Sequence, residues 1–209
     1  MKIWERIVET RLREETSISE EQFGFMPGRG TTDAVFAIRR VMEKCREMQR
    51  DVHAVFIDLE KAYDRVPRDE VWRCMRVKGV PEKYVRLVNE MGVKTEIRSS
   101  VGMTEGFEVR VGLHQGSVIS PYLFDMVMDV LTDDFRGEAP WNMLFADDIV
   151  ICDFSKETLE IKLEEWRKAF EQRGLKISRT KTEYLTTKDV EGLYLKLQDQ
   201  QLPAVSKFK

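Results

Sequence analysis

Apolar residues recur with helical spacing over residues 3–15, where Ile3, Ile7, Val8 and Leu12 fall on one face. Ser19 can cap a short turn, and Gln22 to Gly30 reads as a loop holding three glycines and a proline. Thr31 or Thr32 starts an amphipathic helix to about Met48, carrying Val35, Ile38, Val41 and Met42. Val55-Phe56-Ile57 is a short apolar run of buried-strand type. Pro67 suits the first turn of a helix to about Lys78, closed by Gly79, and Pro81 opens another to about Met91. Between Val93 and Val111 the pattern turns to strands, punctuated by Gly102 and Gly106.

Gly112 to Gly116 forms a turn ahead of Ser120-Pro121, a capping hydroxyl followed by proline at the first helical position. That helix carries Leu123, Phe124, Val127, Met128 and Leu131. Met143-Leu144-Phe145 and Ile149-Val150-Ile151 flank two acids, predicting strand, tight turn, strand. Ser155 starts a long helix to about Arg173, ended by Gly174. Short strands are expected at 176–178 and 184–186; past residue 188 the only pattern is the alternation of Leu193, Leu195 and Leu197. Helices dominate a small, mostly antiparallel sheet, so the fold class is α+β.

Composition narrows this picture. The 209 residues, 42% of them hydrophobic, suffice for one sizeable core, or one large domain with a lobe. No apolar run reaches about 18 residues, so no membrane span is expected. Met1 to Arg6 lacks an apolar signal-peptide core, which predicts an intracellular protein of cytoplasm or nucleus, not a secreted one. Cys45, Cys74 and Cys152 have no CxxC spacing, arguing against a disulfide framework and a zinc site. The net charge of −3 is unfavourable for a nucleic-acid partner, although Arg65 to Arg110 is richer in Lys and Arg than in acids.

The candidate chemistry centres on carboxylates. Asp147 and Asp148 sit inside an apolar run, where unpaired charge is costly and a divalent cation is the usual compensation. Asp-Asp also serves ordinary hairpin turns, so the pair alone is equivocal. Asp58, at the end of the Val55–Ile57 strand, makes a third acid in a similar setting. Hard oxygen ligands suit Mg²⁺ or Mn²⁺, and two such ions make a phosphoryl-transfer site. Alternation along the hairpin predicts Asp147 as the closer partner of Asp58, with Asp148 the weaker ligand. Tyr63, Gln115, Arg29 and Lys181 are each, singly, better read as a core aromatic, a loop residue, a loop residue and a surface lysine.

Order and spacing change that estimate. The chain reads Gln22-Phe23-Gly24-Phe25-Met26-Pro27-Gly28-Arg29, then Phe56-Ile57-Asp58-Leu59-Glu60-Lys61-Ala62-Tyr63-Asp64-Arg65-Val66, then Gly112-Leu113-His114-Gln115-Gly116-Ser117. Ser120-Pro121-Tyr122-Leu123-Phe124, Phe145-Ala146-Asp147-Asp148 and Gly174-Leu175-Lys176-Ile177-Ser178-Arg179-Thr180-Lys181-Thr182 follow. Over nearly its whole length this resembles the reverse transcriptase domain of non-LTR (LINE-like) retrotransposons, with group II intron enzymes as more distant relatives.

The resemblance implies a right-hand polymerase with fingers and palm, synthesising DNA from dNTPs on an RNA template and a primer 3′-OH with two Mg²⁺ ions, or Mn²⁺. It implies metal binding by Asp58, Asp147 and Asp148, and a ribose 2′-OH gate at Tyr63. It also implies a nucleotide contact at Gln115, and Ala146 beside the primer end. Arg29 would lie near template and nucleotide, and Lys181 would be a general acid toward pyrophosphate. Residues 1–187 correspond to the core, and 188–209 to a remnant leading toward a primer grip and thumb that are expected to be absent, as are an upstream endonuclease and further fingers. Met26 and Ser178 depart from the basic residue and the Asn that many relatives carry there. A weakly active or inactive remnant that binds nucleic acid or protein is the alternative. An RNA-templated RNA polymerase palm is more remote, because it must admit the 2′-OH that Tyr63 would exclude.

Overall fold

A computed structural model describes residues 2–92, 94–95, 98–100, 102–103, 105–137, 141–188, 192–198 and 200–205. Along the chain run α1 (Lys2–Glu15), α2 (Thr31–Glu47), β1 (His53–Asp58), α3 (Ala62–Arg65), α4 (Arg68–Val77) and α5 (Glu82–Gly92). Four two-residue strands follow: β2 (Lys94–Thr95), β3 (Arg98–Ser99), β4 (Gly102–Met103) and β5 (Phe107–Glu108). Then come α6 (Ser120–Thr132), β6 (Asn142–Phe145), β7 (Asp148–Asp153), α7 (Lys156–Gln172), β8 (Glu183–Thr186), β9 (Tyr194–Leu197) and β10 (Gln200–Val205). No helix among the described residues is long and apolar enough to cross a membrane.

The chain folds as two compact units, one of residues 1–18 and 61–130, the other of 19–60 and 131–209. The second holds a six-stranded sheet in the order β6-β7-β1-β8-β10-β9. β8 and β10 run parallel; the other pairs are antiparallel. Side chains alternate between its faces. Ala54, Phe56, Val150 and Cys152 meet Val41 and Cys45 of α2, with Ile38 and Met42 packed alongside. Val55, Ile57, Ile149 and Ile151 point the other way, and α7 packs on β1, β7 and β9. On α7, Leu159, Leu163, Trp166 and Phe170 are all buried. Each such side chain contributes about 1.5–3 kcal/mol. The Ser155 hydroxyl caps α7 as expected, accepting from Thr158 N at 3.2 Å.

The structure departs from the hydropathy pattern at α1, where a polar group has taken an apolar role, and in the strands near the C-terminal end of the described chain. On α1 the buried stripe is Glu5, Val8 and Leu12, whereas Ile3 and Ile7 are 81% and 49% exposed. Glu5 is buried because its carboxylate accepts from Ser117 Oγ at 3.0 Å and Val118 N at 2.7 Å. The strand expected at 176–178 is a single bridge, Leu59 to Ile177. Residues past 188, unassigned by pattern apart from the leucine alternation, supply β9 and β10. Val93 and Ser206 to Lys209 lie outside the described residues.

Within the first unit, α6 carries a wholly buried acid, Asp125, and neither of its oxygens has a hydrogen-bond partner among the described residues. Asp129, one turn on, pairs with Lys78. Burial pushes the Asp125 carboxyl up to about 8, Arg13 on α1 pulling it back and Asp129 pushing it further. The folded state therefore keeps a proton that the unfolded chain releases near 3.8. Stability from this group is full below that value and is lost as pH rises toward about 8. Asp125→Asn should flatten this dependence and raise the thermal midpoint under mildly alkaline conditions, by roughly 2–4 °C per kcal/mol recovered. Calorimetric midpoints from acid to alkaline pH check it; parallel curves for both proteins would count against it.

Candidate active site

The apolar register of the sheet delivers the acids. β1 and β7 pair from His53↔Asp153 to Asp58↔Asp148, so Asp58 and Asp148 face each other across adjacent strands. Directly opposed residues share a face. Asp147 was the expected partner of Asp58; instead Ala146 and Asp147 make the two-residue turn, and the first residue of β7 falls opposite Asp58. Asp148 stays open to solvent on one side. Even so, partial burial, then the charges of Asp147 and Asp58, push its carboxyl above the ordinary carboxylate range, with Lys181 pulling it back.

Lys181 arrives by backbone geometry. Gly174, at φ 83°, ends α7 and turns the chain toward β1. Glu60 N then donates to Lys176 O at 2.8 Å, and Ser178 N to Asp58 O at 2.8 Å. A tight turn follows, Thr182 N donating to Ser178 O at 2.9 Å. It sets the Lys181 ammonium 3.3 Å from Asp58 Oδ2. The lysine is 69% exposed, so this pair adds little stability. Its position over the acids is the informative fact. The other oxygen, Asp58 Oδ1, is buried with no hydrogen-bond partner among the described residues. A groove of about 410 Å³ opens before Asp58, Asp148 and Lys181, walled by Val35 and Ile38 of α2 and by Phe56, Leu144 and Val150 of the sheet.

Among the described residues no three His, Cys, Asp or Glu side chains are spaced to hold a metal ion. The donor chemistry nevertheless fits a hard divalent cation: the opposed carboxylates and one orphaned buried acceptor supply oxygen ligands, with only the exposed Lys181 ammonium beside them.

The loop before α2 also belongs to this unit. Phe23 N donates to Leu144 O at 2.7 Å and Leu144 N to Glu21 O at 2.8 Å, so residues 21–23 lie along β6. Arg29 braces its own loop: it donates to Glu20 O and, at 3.2 Å, to Gln22 O, and lies 5.1 Å from the Phe23 ring centroid. Ala146 is buried at the tip of the carboxylate turn, with φ 57°. One residue here escaped the sequence reading. Gln22, 1% exposed, accepts through Oε1 from Ala146 N at 3.1 Å and Gly24 N at 3.0 Å. A glutamine in a glycine-rich stretch carries no signal of such a contact, because its partner is 124 residues away.

Tyr63 and Gln115 lie in the first unit and are brought together there. Leu113 N donates to Tyr63 O at 2.8 Å, and Gln115 Nε2 to Asp64 Oδ1 at 3.0 Å. The Tyr63 ring stacks on Phe124 at 4.7 Å. Gly112 permits the close approach: a Cβ there would lie 3.0 Å from Asp64 O, and its φ is 88°.

Residues 1–201 match the family described as reverse transcriptase (RNA-dependent DNA polymerase). The chain belongs to the reverse transcriptase family. Among curated relatives, this chain is 26% identical over 185 residues to the retrovirus-related Pol polyprotein from type-2 retrotransposable element R2DM of Drosophila melanogaster. It is 28% identical over 167 residues to the probable RNA-directed DNA polymerase from transposon BS of the same species. These matches take in 84% and 72% of this chain, and 18% of each relative. The chain thus spans under a fifth of those proteins. Apo telomerase from Candida tropicalis, truncated from its C-terminal domain, shares the fold with a TM-score of 0.63 at 13% identity, over 97% of this chain and 43% of that one.

Gly24 is where the loop segment meets the carboxylate turn. A Cβ on Gly24 would lie 2.3 Å from Ala146 N and 2.9 Å from Phe145 C, both backbone atoms that cannot swing aside. Gly24→Ala should cost roughly 1–3 kcal/mol, read as a lowered urea midpoint at unchanged slope. An unchanged midpoint would mean that the two segments are not in contact.

Proposed function

We propose that this chain carries an RNA-directed DNA polymerase site, with the six-stranded sheet as palm and the Gln22–Gly30 loop as part of the fingers. The carrying observation is the opposed pair Asp58 and Asp148, with its orphaned Asp58 oxygen, beneath the Lys181 ammonium. Its partners are an RNA template, a DNA primer and dNTPs. Asp58, Asp147 and Asp148 would hold two Mg²⁺ ions, or Mn²⁺. When bound, such ions supply Lewis acidity at the attacking 3′-oxygen and offset charge on departing pyrophosphate.

The remaining roles belong to protein groups. Lys181 donates a proton to the leaving pyrophosphate oxygen, a role its exposed ammonium allows. Tyr63, its ring backed by Phe124, excludes a ribose 2′-OH. Gln115 touches the incoming nucleotide, Ala146 lies beside the primer end, and Arg29 stiffens the loop nearest template and nucleotide. Template sequence is read by base pairing, so the protein recognises backbone and duplex shape. On this reading residues 1–187 form the catalytic core, and 188–209 lead toward the primer-gripping region.

Primer extension on an RNA template with Mg²⁺ tests the proposal. Wild type should extend, and Asp147→Asn should lose about 100-fold or more. No extension by wild type at any protein concentration would sink present polymerase activity and leave a binding domain. Tyr63→Ala should incorporate ribonucleotides more readily than wild type in the same assay. Equal discrimination by the two proteins would remove Tyr63 from the gate.

A further inference from the structure

The turn that carries the carboxylates is poorly suited to itself. Ala146 adopts a left-handed φ of 57°, a conformation that two-residue hairpins usually give to Asn, Asp or Gly. The strand ladder closes at Phe145↔Asp148, so it offers the Ala146 N–H no partner. Nothing within Phe145-Ala146-Asp147-Asp148 explains why the turn holds this shape.

The explanation comes from the segment docked beside it. Residues 21–23 are railed to β6 by the Phe23–Leu144 and Leu144–Glu21 backbone bonds, and Gln22 bridges to Leu144 in parallel. That docking points the Gln22 side chain at the turn, where Oε1 accepts from Ala146 N and Gly24 N together. With Gln22 1% exposed, water cannot replace this acceptor. Gly24 lets the segment lie flush, since a Cβ would strike Ala146 N.

We propose that Gln22 is a positioning residue: its side-chain oxygen clamps the Ala146 amide and thereby sets where Asp147 points relative to Asp148. The inference rests on the reading of these acids as cation ligands. Asp148 is anchored by the ladder, at Phe145↔Asp148 and Asp58↔Asp148. Asp147 has no ladder position, and Gln22 holds the Phe145–Ala146 peptide, one link before the peptide that joins Ala146 to Asp147. Losing the acceptor frees the held peptide and widens the range of Asp147, while the sheet stays intact. Ligand geometry then degrades without loss of fold. Gln22 touches no reacting atom, so its effect passes entirely through the turn.

The test compares wild type with Gln22→Met, similar in length but lacking the acceptor, and with Gln22→Glu, which keeps acceptor oxygens. Amide hydrogen exchange by NMR reports the clamp, and Mn²⁺ titration reports the carboxylates without requiring turnover. In Gln22→Met, Ala146 exchange should rise about tenfold or more and Mn²⁺ affinity fall about tenfold, with Ile149 and Ile151 exchange unchanged. Gln22→Glu should restore slow Ala146 exchange and most of the Mn²⁺ affinity. Unchanged Ala146 exchange in Gln22→Met would overturn the proposal. So would uniform acceleration of every β7 amide, which marks a merely structural role. If Gln22→Met does not fold, Gln22→Asn, whose amide is one methylene too short to reach, takes its place with the same outcomes. Absence of Mn²⁺ binding by wild type would overturn the cation reading alone, and Ala146 exchange would still decide for or against the clamp.

Discussion

Two like charges held opposite one another on adjacent strands are the constraint on which the second unit turns. Asp58 and Asp148 repel, and such a cross-strand pair destabilises a sheet by roughly 0.2–1 kcal/mol. It persists because the strands that carry it are among the best-anchored elements of the unit. β1 is central, paired on both sides, and its two faces are covered by α2 and α7. The ladder that buries Val55 to Ile57 leaves the acids no alternative register: slipping by one residue would exchange the two faces. Partial burial first, then the charges of Asp147 and Asp58, raise the Asp148 carboxyl, and the Lys181 ammonium beside Asp58 offsets part of that crowding.

The first unit solves a similar problem differently. Glu5, Arg68, Asp125 and Asp129 are all nearly or wholly buried. Glu5 is satisfied by a side chain and a backbone amide, Arg68 by the Gly112 carbonyl at 3.0 Å, and Asp129 by Lys78. Asp125 instead keeps its proton. Glu5 and Arg68 tie α1 and α4 to the 112–118 loop, and Lys78, just past α4, pairs with α6, so the segment carrying Gln115 is held by polar anchors. Polar anchors of this kind are directional, which suits a loop whose position matters more than its stability.

Much of the architecture was legible because it depends on periodicity. The helices at 3–15, 31–48, 67–78, 81–91, 120 onward and 155–173 agree with α1, α2, α4, α5, α6 and α7 to within a few residues. Caps and glycines mark their ends through local backbone chemistry. The face of α1 was misread because Glu5 is buried through bonds to residues 112 and 113 positions away. β9 and β10 carried little signal, since β10, Gln200–Val205, interrupts its apolar residues with Gln201 and Pro203 and owes its place to β8 and β9. The resemblance put Arg29 near template and nucleotide, and the structure adds the bonds by which it braces its own loop.

By itself, the sequence determined the kind of elements present, their order, the three candidate acids and, through ordered motifs, the family. Local propensity and covalent neighbourhood suffice for the elements and the acids, whereas the family rests on the resemblance of the ordered motifs. The tertiary structure alone decided which acids oppose each other, where Lys181 comes to rest, and that Gln22 holds the Ala146 amide. Each of those depends on strand register or on a contact between residues more than a hundred positions apart, such as the 124 separating Gln22 from Ala146. A linear pattern cannot encode such pairings, because they exist only once the chain has closed its long loops and packed its core.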